Sequence, residues 1–312
     1  MDATHLLHLA LKGDRRALAR LLRTVEDHRA GWQAALGGAW ERAGRAHLIG
    51  ITGAPGTGKS TLTNSLISVW RRQKRAVAVV AVDPSSPFSG GALLGDRIRM
   101  QTHIDDPDVF VRSMSSRGRL GGVADTTAGL VTILDAAHFD PVVVETVGVG
   151  QSEVDVIDHS DTVVVVVTPG WGDDVQTDKA GLLEIGDIFV INKADRRGVA
   201  RARRNLATML EMGVATEWTP PIVETVATSD DGAEELVDAL DRHRRFLVAS
   251  DEGSRRQRRR GRAYTEHALS QRLRERLALP DVEDVLDRVV NRKLDPWSAA
   301  ETIGVGPPCP GA

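Results

Sequence analysis

The chain of 312 residues has a single cysteine, a single tyrosine and no apolar run of membrane-spanning length. Each shortage removes a class of protein. Cys309 lies in a Pro/Gly tail and allows neither an internal disulfide framework nor a CxxC metal site, so a reducing, cytoplasmic setting is expected. The N-terminus lacks a basic region followed by an apolar stretch and a cleavage site, and no membrane partner is expected. A net charge of −3 gives no general reason to expect nucleic acid. Aromatics make up only 4% against 41% hydrophobic residues, so the core must be built from Val, Leu, Ile and Ala. That is the composition of a buried parallel sheet.

What is present is an alternation. Short β-branched runs occupy His47 to Thr52, Ala76 to Val82, Val109 to Met114, Pro141 to Val147, Thr162 to Thr168, Ile188 to Asn192 and Ile222 to Ala227. They show little period-2 patterning, so both faces are expected to be buried. Amphipathic stretches such as Ala124 to Ala137, Arg201 to Met212 and Ala233 to Phe246 separate them, as in a doubly wound α/β sheet. Residues 1–43 read as a helical extension: Leu6, Leu7, Leu9, Leu11, Leu18, Leu21 and Leu22 sit at helical spacings around Lys12-Gly13-Asp14, and Trp32, Trp40 and nearby glycines form a mixed connector. The sheet domain is expected over 44–250 and a helical arm over 251–312. Ser254 to Arg262 holds six arginines in nine residues, read as a solvated helix face or an interface with acidic groups rather than a nucleic-acid patch.

One stretch organises the rest. Gly53-Ala54-Pro55-Gly56-Thr57-Gly58-Lys59-Ser60 follows a strand and opens the helix Thr61 to Trp70, the arrangement of a phosphate-binding loop. Its glycines let the backbone N–H groups turn inward, the following helix adds partial positive charge, and Lys59 adds a full one. Thr61 completes the candidate nucleotide contacts, and Ser60 is placed to put its hydroxyl on Mg2+. Further metal candidates are Glu145, which heads an ExxG segment ending at Gly148, together with Asp83 and Asp96. The Gly148 N–H can sense a γ-phosphate.

Asn192-Lys193-Ala194-Asp195 selects the base. A carboxylate at Asp195 accepts from N1–H and the exocyclic amine of guanine, whereas adenine offers a lone pair at N1. Asn192 and the Lys193 stem would fix the loop, and Thr225, Val226 and Ala227 would supply backbone contacts. GTP is therefore the expected substrate, with Lys59, Glu145, Gly148, Lys179 and Asp83 as the catalytic candidates. Val149 stands where a Ras-like enzyme has the glutamine that orients water, so turnover alone should be slow; a partner's contribution is worth ~10³ to 10⁵ in rate. Lys179, in the loop Pro169 to Lys179, could reach the phosphates when that loop closes.

These residues together resemble the MeaB/ArgK family of P-loop GTPases, chaperones of adenosylcobalamin-dependent acyl-CoA mutases such as methylmalonyl-CoA mutase. The resemblance runs from Gly13-Asp14-Arg15-Arg16-Ala17-Leu18 through Asp83 to Gly91, Gly95 to Met100 and Leu120-Gly121-Gly122. Its most specific part is Glu145-Thr146-Val147-Gly148-Val149-Gly150-Gln151-Ser152-Glu153. Asp173 to Lys179 departs from the commoner Asp-Glu-Leu-Gln-Gly-Ile-Lys pattern while keeping the glutamine and lysine. The resemblance implies a P-loop NTPase fold, a homodimer formed through a C-terminal arm containing Asp295-Pro296-Trp297, and GTP hydrolysis that gates cofactor delivery to a mutase and protects or reactivates it. Two other readings stand beside it. A nickel-type metallochaperone would call for a histidine tract or a Cys-His pair, and a transport-linked kinase would call for a phosphoacceptor site.

Overall fold

The computed structural model describes residues 1–83, 103, 105–115, 122–146, 159–170, 185–213 and 217–304. Seven strands, β1 (Leu48–Thr52), β2 (Val77–Asp83), β3 (Val109–Ser115), β4 (Val142–Thr146), β5 (Thr162–Val167), β6 (Ile188–Asn192) and β7 (Ile222–Thr225), form one sheet in the order β3-β2-β4-β1-β5-β6-β7. Every neighbouring pair is parallel. The helices in chain order are α1 (Ala3–Ala10), α2 (Arg15–Glu26), α3 (Trp32–Trp40), α4 (Lys59–Arg72), α5 (Gly122–Ala136), α6 (Val199–Glu211), α7 (Ala233–Ala249), α8 (Asp251–Leu277), α9 (Pro280–Val290) and α10 (Pro296–Ile303). This is the α/β P-loop NTPase architecture expected from the sequence.

Successive side chains on a strand point to opposite faces, and here both faces are covered. In β2, Ala78, Val80 and Val82 join the layer of α1, α2, α3 and α5, while Val77 and Val79 join the layer of α4 and α7. In β5, Val164 and Val166 meet α4 and α7, and Val163, Val165 and Val167 pack with Ala202 and Leu206 of α6. Double-sided burial is why the strand sequences are continuous apolar runs.

The N-terminal helices are part of this packing. Leu6, Leu7, Leu18, Leu21 and Leu22 are buried in one cluster with Ala78 and Val142. Asp14 caps α2 by accepting from the Arg16 and Ala17 amides at 2.9 and 3.0 Å. Arg15 donates to the carbonyls of Asp106 and Val109 at 2.7 and 2.6 Å, and Arg112 pairs with Glu26, so the extension is tied to β3. The expected connector around Trp32 and Trp40 is the helix α3. Tertiary burial of Ala35 and Ala39 outweighs the weak helix propensity of its glycines, and Gly38 lies so close to Leu7 that a Cβ there would stand 3.0 Å from its Cδ2.

Beneath the N-terminal ends of β1, β5 and β6 lies a polar cluster. The buried Thr162 hydroxyl lies 2.6 Å from His47 Nε2 and 2.7 Å from His243 Nδ1, so one ring accepts its proton and the other donates to its lone pair. Asp187 accepts from the Val163 amide at 2.8 Å and takes a two-pronged Arg256 guanidinium at 2.7 and 2.8 Å. Arg260, one helical turn on, pairs with Asp161. Arg256 and Arg260 of the arginine run therefore meet acidic groups at the base of the sheet, while Arg255 and Arg262 pair with Glu252 and Glu266 of their own helix.

Chain contacts divide the molecule into two compact units, Met1–Arg260 and Gly261–Ala312. In the second, α9 packs on α10, which Asp295 caps by accepting from the Trp297 and Ser298 amides. Leu269, Leu273, Val290 and Trp297 are exposed there. Among the described residues, no helix is long and apolar enough to cross a membrane.

Burial lowers the pKa of His47 and of His243 from 6.5 to about 4, so both rings are neutral in the fold at neutral pH. Unfolded, they protonate near 6.5. Between there and about pH 4 the unfolded chain binds more protons, and stability is lost as the pH falls. We expect the free energy of unfolding to fall from pH 7 to pH 5, by up to about 1.4 kcal/mol per pH unit for each histidine, and the urea midpoint to fall with it. Equal midpoints would count against two buried neutral rings.

Candidate functional site

Because all strands run the same way, the C-terminal ends of β1, β4, β6 and β7 share one edge of the sheet, where ligands collect in open α/β folds. The segment after β1 turns at Gly53 and enters α4 at Lys59. Gly53 has φ +139°, and a Cβ there would lie 2.2 Å from the Val166 carbonyl oxygen. Only glycine fits so close to β5. Ala54, Pro55 and Gly56 form the exposed tip of the loop, while Thr57, Lys59 and Ser60 are buried. The Thr57 hydroxyl closes the turn on the Ala54 carbonyl at 2.9 Å. Lys59 donates from Nζ to the Gly53 carbonyl and, at 3.1 Å, to that of Ala54. The first turn of α4 therefore presents a lysine, a serine and backbone N–H groups at a helix N-terminus, which suits an anion.

Glu145, fully buried near the end of β4, reaches this turn. Its Oε1 accepts from Ser60 Oγ at 2.5 Å and its Oε2 from Thr63 Oγ1 at 3.0 Å. Ser60 and Glu145, singled out separately in the sequence, are brought into contact. Thr63 lies outside the loop motif, and among the polar residues of the first turns of α4 nothing in the sequence marks it. The hydroxyl and the carboxylate are hard oxygen donors and fit Mg2+. Among the described residues no group of three or more His, Cys, Asp or Glu could hold a metal unaided.

The Asn192 to Asp195 segment abuts the same loop. Asn192 Nδ2 donates to the Thr57 carbonyl at 2.8 Å, while its Oδ1 accepts from the Thr225 hydroxyl at 3.1 Å and the Ala227 amide at 3.2 Å. Lys193, at φ +61°, donates to the Gly56 carbonyl at 2.7 Å. The Ala194 amide donates to the carbonyl of Thr225 at 3.0 Å. Asp195 is exposed, and Val226 is half-buried, its amide bonded to the Asp231 carbonyl. One amide side chain thus joins the loop after β1, the end of β6 and the end of β7. Thr61 lies in the first turn of α4. Asp83 closes β2 opposite Ser115 of β3. Asp96, Gly148 and Lys179 lie outside the described residues.

Residues 16–279 match the family described as methylmalonyl Co-A mutase-associated GTPase MeaB. A Pyrococcus horikoshii protein named as a GTPase is 46% identical over 298 residues, 94% of each chain. The GTPase ArgK of Escherichia coli is 37% identical over 248 residues, 77% of this chain and 75% of its own. A protein named fused isobutyryl-CoA mutase, from Cupriavidus metallidurans, is 37% identical over 246 residues, which are 75% of this chain but 22% of its own length. Among solved structures, a protein crystallised as a LAO/AO transport system kinase superposes with a TM-score of 0.69 at 26% identity, over 97% of this chain and 96% of its own.

Gly58 supplies a test of the loop. It has φ +93°, and a Cβ would stand 2.5 Å from Asn192 Nδ2, an atom already committed to the Thr57 carbonyl. Gly58→Ala is expected to weaken GDP binding by roughly tenfold or more, because strain at a left-handed position costs on the order of 1–3 kcal/mol. Titration with fluorescently labelled GDP checks it; wild-type affinity would mean the loop tolerates a side chain there.

Proposed function

The chain belongs to the MeaB family of mutase-associated GTPases, and from that premise we propose that it is a GTP-hydrolysing chaperone of a cobalamin-dependent acyl-CoA mutase such as methylmalonyl-CoA mutase. In this reading it gates delivery of adenosylcobalamin to the mutase and protects or reactivates it. The observation that carries the reading is the bond from Ser60 to Glu145. Ser60 belongs to the loop that takes phosphate, and Glu145 is the first residue of the ExxG segment. Whatever the loop holds is therefore felt at the root of a segment suited to switching.

The roles follow from chemistry. Phosphates rest on the loop N–H groups from Gly53 to Thr61, and the Lys59 amino group turns from the loop carbonyls toward them. Ser60, Asp83, Asp96 and Glu145 would hold Mg2+, directly or through water. When bound, the ion neutralises charge on the phosphate oxygens. The Gly148 N–H meets the γ-phosphate, and Lys179 approaches as its loop closes. Asp195 reads guanine, Asn192 and Lys193 hold its loop on the phosphate loop, and Thr225, Val226 and Ala227 line the base. Val149 brings no water-orienting amide, so hydrolysis is slow until a partner supplies the group.

The Cupriavidus relative supports a mutase as that partner, since a homologous segment occupies part of a chain named as a mutase. The exposed Leu269, Leu273, Val290 and Trp297 of the C-terminal unit support a homodimer formed through it. The kinase name of the solved neighbour motivates a second reading, transfer of phosphate from ATP to a protein.

Three measurements bear on this. GTP turnover is expected to be slow alone and to accelerate with one adenosylcobalamin-dependent mutase; slow turnover indifferent to every mutase would remove the chaperone reading. Lys59→Ala is expected to abolish GTP binding or hydrolysis, and an unchanged rate would refute the loop assignment. Asp195→Asn should relax the preference for guanosine over xanthosine nucleotides in a competition assay, with retained discrimination as the contrary result.

A further inference from the structure

Thr63 lies one turn into α4, fully buried beside Leu62, Leu66 and Ile67. A hydroxyl in apolar surroundings needs a hydrogen-bond partner. An ordinary structural threonine would satisfy itself on the carbonyl four residues back, and Lys59 O does lie 3.0 Å from Oγ1. That bond would suffice for folding. Yet Oγ1 is equally close, 3.0 Å, to Glu145 Oε2. The hydroxyl has one proton, and of the two acceptors in reach only the Glu145 oxygen is not already serving a helix bond, so the geometry favours Glu145.

Ser60 and Thr63 are three residues apart and share one face of α4, so each hydroxyl takes a different oxygen of the same carboxylate. Two bonds, one to each oxygen, restrain the plane of the carboxylate more tightly than the Ser60 bond alone. The consequence falls on Ser60. A serine that ligates a cation with its lone pair must send its proton elsewhere, and Glu145 Oε1, at 2.5 Å, is the acceptor in place.

We propose that Thr63 is a positioning residue for magnesium: by holding Oε2 of Glu145, it keeps Oε1 aligned to take the Ser60 proton, so that the Ser60 oxygen is turned to the ion. The proposal rests on the GTPase reading of the site and adds a residue outside its motifs.

The test compares the affinity of the full chain for fluorescently labelled GDP in Mg2+ and in EDTA. The ratio of the two affinities reports what the ion contributes, and a purely structural lesion would weaken both alike. Thr63→Val keeps the shape and removes the hydroxyl. The ratio is expected to fall roughly tenfold, the scale of a lost hydrogen bond to a charged group. Thr63→Ser, which restores the hydroxyl, should recover it. Thr63→Ala serves as the second probe if the valine chain does not fold. In a Glu145→Gln background, Thr63→Val should change the ratio by less than twofold, because its effect passes through that carboxylate.

An unchanged ratio in Thr63→Val or Thr63→Ala, or an equal fall in both affinities, overturns the proposal. The GTPase reading has its own readout, wild-type GTP turnover. Turnover in the wild type with an unchanged ratio sinks the Thr63 role alone, whereas absence of GDP binding to the wild type sinks both.

Discussion

Parallel pairing is the constraint on which the molecule depends. A strand that must return to run beside its neighbour in the same direction needs a crossover, and the crossovers lay helices over both faces of the sheet. The sheet is then shielded from water except at its ends. The direction of the strands decides which end is which: backbone leaving β1, β4, β6 and β7 emerges at a single edge. An acidic residue 85 positions from its partner in the phosphate loop and a base-reading residue 135 positions from its own become neighbours of that loop without any of them having to reach.

At that edge, short polar side chains convert proximity into order. Asn192 spends its amide on three elements at once, and Glu145 splits its two oxygens between residues one turn apart on α4. Neither side chain is exposed. A buried carboxylate or amide is costly without partners, so each has few acceptable positions, and the loops tied to it inherit that restriction. The glycines contribute in the opposite sense, by leaving out the atoms that would hold those loops apart.

Much of this was legible in the sequence. The seven strands could be read because double-sided burial writes them as unbroken Val/Ile runs, and the loop, ExxG and NKxD segments because their chemistry demands fixed residues at fixed spacing. The missed features had no local signature. The helix at Trp32–Trp40 contains two adjacent glycines and is supported by Ala35 and Ala39 packing into a core assembled from distant strands. Thr63 sits just past a motif and matters through a residue 82 positions away. The distant acidic partners of Arg260 and Arg256, Asp161 and Asp187, precede them by 99 and 69 positions. Asp96, Gly148 and Lys179 were singled out by motif alone and lie outside the described residues.

That last pairing changes what counts as the end of the nucleotide-binding unit. Composition shifts at residue 251, where apolar sequence gives way to arginine. Asp187, however, is nearly inaccessible to water, and its counter-ion is Arg256. A chain stopped at 250 would retain every strand of the sheet and yet lose the guanidinium that pairs with Asp187. The compact unit accordingly runs to Arg260 and includes both guanidinium groups that meet the sheet's acidic residues. Any graft, fusion or truncation of this module inherits the obligation to carry the guanidinium groups of Arg256 and Arg260 along with the sheet they neutralise.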